Sequence, residues 1–291
     1  MDNQVIELEK IKERKINNLM GIRNLPSIPV VMFEVTKLLE NPKINASDLG
    51  KVISMDQGLV TKILTVANSP LYGLPRRVST IEFAIVILGF EHIKNIVIAL
   101  SMIEAFKGKD EANWNRKNYW LHSLITAFAA KRVADDFGYK KSGEAFTAGL
   151  LHDLGITVIN RFFNSDFIKI INKVNNENCN YLTAEISVLG ITHQDIGNFL
   201  VEKWNLPPIL GDVILHHHEP SNAENKQLTA IVHLADFMTQ KLNVGAFEWD
   251  KDLNYDPMIM EVLKIHDEVN LFNYISNYQD LFLSQIELLE I

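Results

Sequence analysis

The hydrophobic residues of this 291-residue chain recur almost everywhere at helical spacing. Apolar positions that repeat every three to four residues predict amphipathic helices, and no segment alternates apolar and polar residues between hairpin turns. Ser79 and Glu82 match a capping box ahead of one such segment. The pattern predicts an all-α protein with helices over residues 3–20, 30–40, 47–55, 57–68, 79–89, 91–107, 114–137, 143–154, 155–162, 166–176, 183–190, 192–204, 207–218, 227–243, 256–268 and 278–290.

A polar stretch, residues 108–118, divides the helical pattern into two parts. Such a stretch between periodic segments is typical of a domain boundary. We therefore predict an N-terminal helical subdomain over residues 1–110, a second helical subdomain over residues 111–245 and a C-terminal helical extension over residues 246–291.

The charge and the hydropathy of the chain narrow the partners and the cellular compartment that we expect for it. Its net charge is −8 and it has no run of more than two adjacent Lys/Arg residues, which makes nucleic acid an unfavourable partner. No apolar run reaches the roughly 18 residues of a membrane helix, and the charged N-terminus lacks a signal-peptide core. A lone cysteine, Cys179, suits a reducing compartment. These features predict a cytoplasmic protein outside the membrane.

Five separated segments carry side chains that can bind a metal ion. Imidazole and carboxylate groups are ligands of divalent first-row metals, and the long gaps between these segments exclude a short zinc motif such as HExxH. A single histidine on an apolar helix face is more often a hydrogen-bonded core residue, and consecutive histidines can form a solvated helix end. Taken together, the segments predict a metal site assembled by the fold from His122, His152 with Asp153, His193, the run His216–His218 and Asp236.

Other polar residues have weaker claims to function. His92 and His266 lie on charged stretches and are predicted to be surface residues. His233 precedes Asp236 by three residues and is predicted to pack in the core or to support the site. Three cations could bind an anion, although a solvated surface role is the simpler interpretation: Lys51, Arg76 and Arg77.

The ordered segments resemble the HD superfamily of metal-dependent phosphohydrolases and its HD-GYP branch, and most closely the HDOD family of bacterial signalling output domains. The resemblance covers about residues 22–243. It is carried by these motifs: LPSIP (25–29), ISMDQGLVTKILTVANSPLYG (53–73), STIEFAIVILGFEHIKNIV (79–97), WLHS (120–123), EAFTAGLLHDLG (144–155), EISVLGITHQDIG (185–197), WNLPPIL (204–210), HHEP (217–220) and VHLAD (232–236).

The resemblance implies an all-α fold of two helical subdomains, the second an HD-like bundle. It also implies a site for one or two divalent metal ions, with iron, manganese or zinc expected. One ion would be held by His122, His152, Asp153 and Asp236, and a second would add His193, His217 and His218.

Two departures from the HD-GYP pattern bear on function. The Lys that follows HDxG in HD-GYP enzymes is Ile156 here, and the GYP segment is replaced by EPSNAENK (219–226). The resemblance therefore implies a bacterial signal-transduction module that binds a signalling protein or a small nucleotide. The alternative is a metal-dependent phosphohydrolase acting on a nucleotide or another phosphoester, with His152 and Asp153 as catalytic residues.

Overall fold

α-Helices and short 3-10 turns are the only regular elements in the residues that this computed structural model describes, which are 29–106 and 114–289 with residues 17, 19, 25 and 26. The predicted all-α class is therefore confirmed. The helix predicted over residues 3–20 falls almost entirely outside the described residues. Most of the boundary predicted over residues 108–118 also falls outside them, and the division into subdomains stays a prediction.

The described residues before residue 107 contain five helices, and the cap of the fourth differs from the one predicted. The side chain of Thr80 accepts from the backbone N–H of Phe83 at 3.2 Å, so Thr80 and not Ser79 caps the fourth helix. Asn45 caps the second helix in the same way. The helices are α1 (Val30–Leu39), α2 (Ala46–Ile53), α3 (Gln57–Ala67), α4 (Ile81–Leu88) and α5 (Phe90–Ala105).

No single helix in the described ranges is long and apolar enough to cross a membrane. Helices α4 and α5 reach the length and apolar content of a membrane span only when taken together, and the chain bends by 119° between them. The bend lies at Gly89, whose φ of +84° is a conformation that glycine adopts without a steric cost.

The second half is built around a long buried helix, α6 (Arg116–Asp136), which packs against α7 and α13. A second packed group consists of α11 with α8 and α12. The bounds are α7 (Ser142–Leu151), α8 (Leu154–Phe162), α9 (Asn164–Glu177), α10 (Tyr181–Leu189), α11 (His193–Lys203), α12 (Pro208–His216) and α13 (Lys226–Leu242).

The last helices are α14 (Met258–Leu263), α15 (Glu268–Ser276) and α16 (Gln279–Leu289). The single helix predicted over residues 256–268 is wrong, because the left-handed conformation of Lys264, with φ of +59°, ends α14. Helix α16 packs against α6 and against the 3-10 turn Pro70–Tyr72, and the buried side chain of Ser69 donates to Gln285. The C-terminal residues therefore join the two halves of the molecule.

Candidate metal centre

Eight histidine and aspartate side chains converge in the core of the second half. Within each of two groups, one ligand atom from every member lies within 4.8 Å of the others. The first group lies at the start of α11, just after α12 and between α7 and α8, and consists of Asp153, His193, His217 and His218. The second lies along α6 and α13, at the end of α7 and on the 3-10 turn Glu248–Asp250, and consists of His122, His152, Asp236 and Asp250.

Asp153 connects the two groups because its carboxylate oxygens face opposite ways. Oδ1 lies 3.4 Å from Nε2 of His193 and 3.6 Å from Nε2 of His217. Oδ2 lies 3.4 Å from Nε2 of His152 and 3.6 Å from Nε2 of His122. A carboxylate placed in this way can bind one ion with each oxygen.

Hydrogen bonds fix four of the five histidines in one tautomer. The Nδ1–H of His122 donates to the carbonyl of Gly245 at 2.9 Å, and His152 and His217 donate likewise to carbonyls at 2.7 Å. His193 donates to the Glu185 carboxylate at 3.0 Å. Each neutral ring then turns an unprotonated Nε2 inward, the orientation found in metal-bound histidines.

The inward nitrogens lie close together, and His122 and His152, whose protons are on Nδ1, have no proton to share between their Nε2 atoms. Nε2 of His122 is 3.2 Å from Nε2 of His152, and Nε2 of His193 is 3.2 Å from that of His218 and 3.4 Å from that of His217. Two lone pairs at this distance repel each other unless a cation lies between them. The donor atoms therefore fit divalent metal ions, for which imidazole is a common ligand.

Three buried carboxylates lead to the same interpretation. Neither oxygen of Asp153, Asp236 or Asp250 has a hydrogen-bond partner among the described residues. A buried charge without a partner costs several kcal/mol unless it is paired or bound to a metal. The six oxygens therefore match the oxygen part of a mixed nitrogen and oxygen site.

The environment holds the deep histidines neutral. Burial lowers the pKa of His122 and of His152 to about 4. Burial also acts to lower the pKa of His193, but the Glu185 carboxylate beside it outweighs burial, so this pKa is raised. Because a histidine must be neutral to coordinate a metal, most of the cluster is ready for an ion at neutral pH.

The three carboxyl groups differ in protonation. Burial acts to raise the pKa of Asp153, but the surrounding histidines, His152 above all, hold it well below its usual value. Burial and the charge of Asp153 raise the pKa of Asp236 and of Asp250 well above the usual range. A divalent cation would let all three carboxylates ionise together, so metal binding would release protons.

Gly155 permits the close approach of α8 and α11 that places Asp153 beside His193. A Cβ on Gly155 would lie 1.9 Å from the carbonyl oxygen of His193. Only a residue without a side chain fits at this contact.

The HDOD domain family model matches residues 25–220. This chain belongs to the HDOD family. An uncharacterized protein of Treponema pallidum (strain Nichols) is 27% identical over 225 residues, which are 76% of this HDOD chain and 43% of that protein. The HDOD chain thus spans less than half the length of this relative.

Solved structures agree with the HDOD fold. The crystal structure of an HDOD domain protein of unknown function from Geobacter sulfurreducens has a TM-score of 0.78 at 26% identity, covering 96% of this chain and 98% of that one. A candidate phosphohydrolase from Shewanella amazonensis SB2B has a TM-score of 0.71 at 22% identity, covering 93% and 97% of the two chains. At that identity the likeness shows the fold alone.

All seven predicted ligands of the HDOD chain lie in the cluster. His216, the first of the histidine run, does not: its Nε2 lies 3.9 Å from Oδ1 of Asp212, which is outside both groups. His233 joins two backbone segments, because its Nδ1–H donates to the carbonyl of His217 at 2.7 Å and its Nε2 accepts from the N–H of Asp256 at 2.8 Å. His233 therefore holds the backbone of His217, one of the predicted ligands, in place.

The three cations predicted for anion binding lie elsewhere in the HDOD module. Lys51 is exposed on α2 with its Nζ 3.7 Å from Oδ1 of Asp48. Arg76 and Arg77 line a surface cleft of about 890 Å³ beside α3. None of the three is among the residues that form the two metal groups.

Two residues of the site were missed from the sequence. Asp250 belongs to the segment predicted as a C-terminal extension, and Glu185 precedes His193 by eight residues on α10. The apolar and aromatic residues around Asp250, in AFEWD, were the one signal that this carboxylate is buried. Glu185 shares its helix with hydrophobic neighbours, which gave the same signal.

Proposed function

We propose that this chain is a regulatory output module that holds two divalent metal ions and acts by binding a signalling protein or a small nucleotide. Burial of the site carries the proposal. Seven of the eight donor side chains are at most 2% exposed, and the eighth, His218, is 7% exposed. Catalytic metal sites keep a coordination position open to substrate, whereas structural sites are closed. A closed centre supports a structural or regulatory metal.

The residues present indicate which metals fit. Five imidazoles and three carboxylates favour iron, manganese or zinc over calcium, which prefers oxygen ligands alone. Bound ions would neutralise the three carboxylates and join six segments of the chain. An ion in such a site can also lower the pKa of a coordinated water towards about 7.

Helix α4 supports a protein as partner. Three of its apolar side chains, Phe83, Val86 and Ile87, are 38%, 68% and 45% exposed. Their i, i+3, i+4 spacing puts them on one helix face. A contiguous apolar face on the surface is typical of an interaction site.

A metal-dependent phosphohydrolase is the second candidate, and the complete donor set favours it. In that case His152 and Asp153 would hold the metal that activates water, and the site would have to open for its substrate. Ile156 argues against it, because a fully buried aliphatic side chain supplies neither charge nor a hydrogen bond to a phosphate.

Metal analysis combined with a substrate panel tests the proposal. Purified protein is analysed for iron, manganese and zinc, titrated with each metal, and assayed on phosphomonoesters, phosphodiesters and nucleotides. We expect two ions per chain, one for each group, and no turnover. His152→Ala and Asp153→Ala should lose metal, whereas His266→Ala, at an exposed position, should keep it.

Two results would overturn the proposal. Metal-stimulated turnover that disappears in both His152→Ala and Asp153→Ala would identify a phosphohydrolase. If the wild-type protein binds none of the three metals, the proposed metal centre is wrong.

A further inference from the structure

Asp250 connects the two metal groups as Asp153 does. Its Oδ2 lies 3.6 Å from Nε2 of His122 in the second group, and its Oδ1 lies 3.5 Å from Nε2 of His218 in the first. The side chain is fully enclosed, and neither oxygen has a hydrogen-bond partner among the described residues. The buried carboxylate is aimed at the centre, where its partners are His122, His218 and the carboxyl group of Asp153.

Aromatic contacts hold the segment that carries Asp250. The indole of Trp249 stacks on Tyr181 with ring centroids 4.1 Å apart, and its Nε1–H donates to Oε1 of Glu185 at 2.6 Å. The ring of Phe247 stacks on His122 at 5.7 Å. The two aromatic residues that precede Asp250 therefore hold its segment in place before any ion arrives.

The same segment encloses the centre. The carbonyl of Gly245 accepts from Nδ1–H of His122, and the carbonyl of Phe247 accepts from the side chain of Gln240 on α13 at 3.1 Å. Val244, Phe247 and Trp249 are at most 8% exposed. Residues 244–250, called the cover here, thus pack directly against ligands instead of lying over them as a free loop.

We infer that Asp250 is a metal ligand that bridges the two ions, and that the cover closes the centre by supplying it. The inference rests on the proposed metal-binding function. It makes the C-terminal part of the chain necessary for complete metal binding, although the HDOD family match ends at residue 220. It also explains the closed site, since a substrate would have to displace a carboxylate from both ions.

Asp250→Asn tests the inference because it keeps the shape of the side chain and removes its charge. In metal-free protein, Asp250 is a buried acid beside Asp153 and Asp236, so the variant should melt at the same temperature as wild type or higher. With metal, the variant should bind at least one ion more weakly by at least about tenfold, because loss of even an outer-shell partner has that effect. The increase in melting temperature on adding manganese or zinc should be smaller than in wild type.

Comparing the melting temperatures of Asp250→Asn and wild type with and without metal separates a metal ligand from a packing residue. A merely structural Asp250 would lower the melting temperature equally with and without metal, and this result would overturn the inference. Asp252→Asn, an exposed aspartate two residues away, serves as the matched control and should change neither quantity. Circular dichroism reports whether each variant is folded.

Wild-type behaviour separates this inference from the proposal beneath it. If wild type binds no metal, the proposed centre fails. If wild type binds two ions and Asp250→Asn binds both with unchanged affinity, the centre stands and the bridging role of Asp250 is wrong.

Discussion

The indole of Trp249 donates a hydrogen bond of 2.6 Å to Oε1 of Glu185, the carboxylate that also orients His193. Glu185 receives the backbone N–H of His193 at 2.7 Å as well. One buried carboxylate thereby fixes a predicted ligand and the segment that brings Asp250 into the site. Glu185 therefore connects the two groups of donors from outside the centre, in addition to the connection that Asp153 makes between them.

Replacing Glu185 should weaken metal binding without removing a ligand. In Glu185→Gln, only one of the two side-chain oxygens remains, and the new NH₂ group cannot accept the hydrogen bonds of His193. Loss of a group that orients a metal-bound histidine typically costs 10–100-fold in affinity, and we expect that range here. Competition with a chromogenic chelator measures it. Glu177→Gln, on the exposed end of α9, should leave affinity unchanged, and an equal loss in both variants would contradict the prediction.

Gly155→Ala should damage stability and the site together. The new Cβ would meet the carbonyl oxygen of His193 at 1.9 Å, so α8 and α11 must separate and Asp153 must move away from His193. Overpacking of this kind costs about 1–3 kcal/mol. Urea unfolding of metal-free protein should show that loss, and metal titration should show weaker binding.

Gly58→Ala is the matched control for this substitution. Gly58 lies in the exposed first turn of α3, where the nearest atom to a new Cβ is Oδ1 of Asp56 at 3.3 Å. Alanine in a helix is favoured over glycine by about 1 kcal/mol, so this variant should be as stable as wild type or more stable. A stable Gly155→Ala protein with normal metal affinity would contradict the prediction, because α8 and α11 would then accommodate the new Cβ without loss.

The sequence predicted most helices and the seven residues that converge in the two groups, because both depend on local pattern or on motif order. Asp250 and Glu185 could not be found in this way. Asp250 reaches the centre only through the irregular path of residues 243–250, which no periodicity specifies. The break in the helix predicted over 256–268 depends on the left-handed Lys264, a conformation that its sequence does not indicate.

His92 shows how tertiary packing reverses a local interpretation. Its charged neighbours on α5 predicted a surface residue, whereas the side chain is only partly exposed. The ring packs edge-on against Tyr72 with centroids 5.4 Å apart, and Nε2 accepts the hydrogen bond of the Tyr72 hydroxyl. Burial, with a smaller effect of Lys131, lowers the pKa of His92 to about 4.

Acid should therefore destabilise the fold through His92. The unfolded chain binds a proton at this histidine near pH 6.5 and the folded chain only near pH 4, so its contribution is present above pH 6.5 and is lost as the pH falls towards 4. The lost stabilisation is at most about 3 kcal/mol. His92→Gln should reduce the fall in unfolding free energy between pH 7 and pH 4 in urea titrations with chelator present. Identical pH profiles for both proteins would contradict this role.

Ile156→Lys should fail to produce a phosphodiesterase. In HD-GYP enzymes a lysine stands at this position, but Ile156 here is fully buried on α8, immediately after the Gly155 contact. A lysine buried without a partner favours its neutral form and costs several kcal/mol. We expect lower stability in urea and no hydrolysis of cyclic dinucleotides. Ile156→Leu, which keeps the volume, is the control and should lose less than about 1.5 kcal/mol. The reason is structural: the cover already places the Asp250 carboxylate on the centre, so an added cation meets a closed site. Turnover by Ile156→Lys would show that the rest of a substrate site is present and that the cover opens.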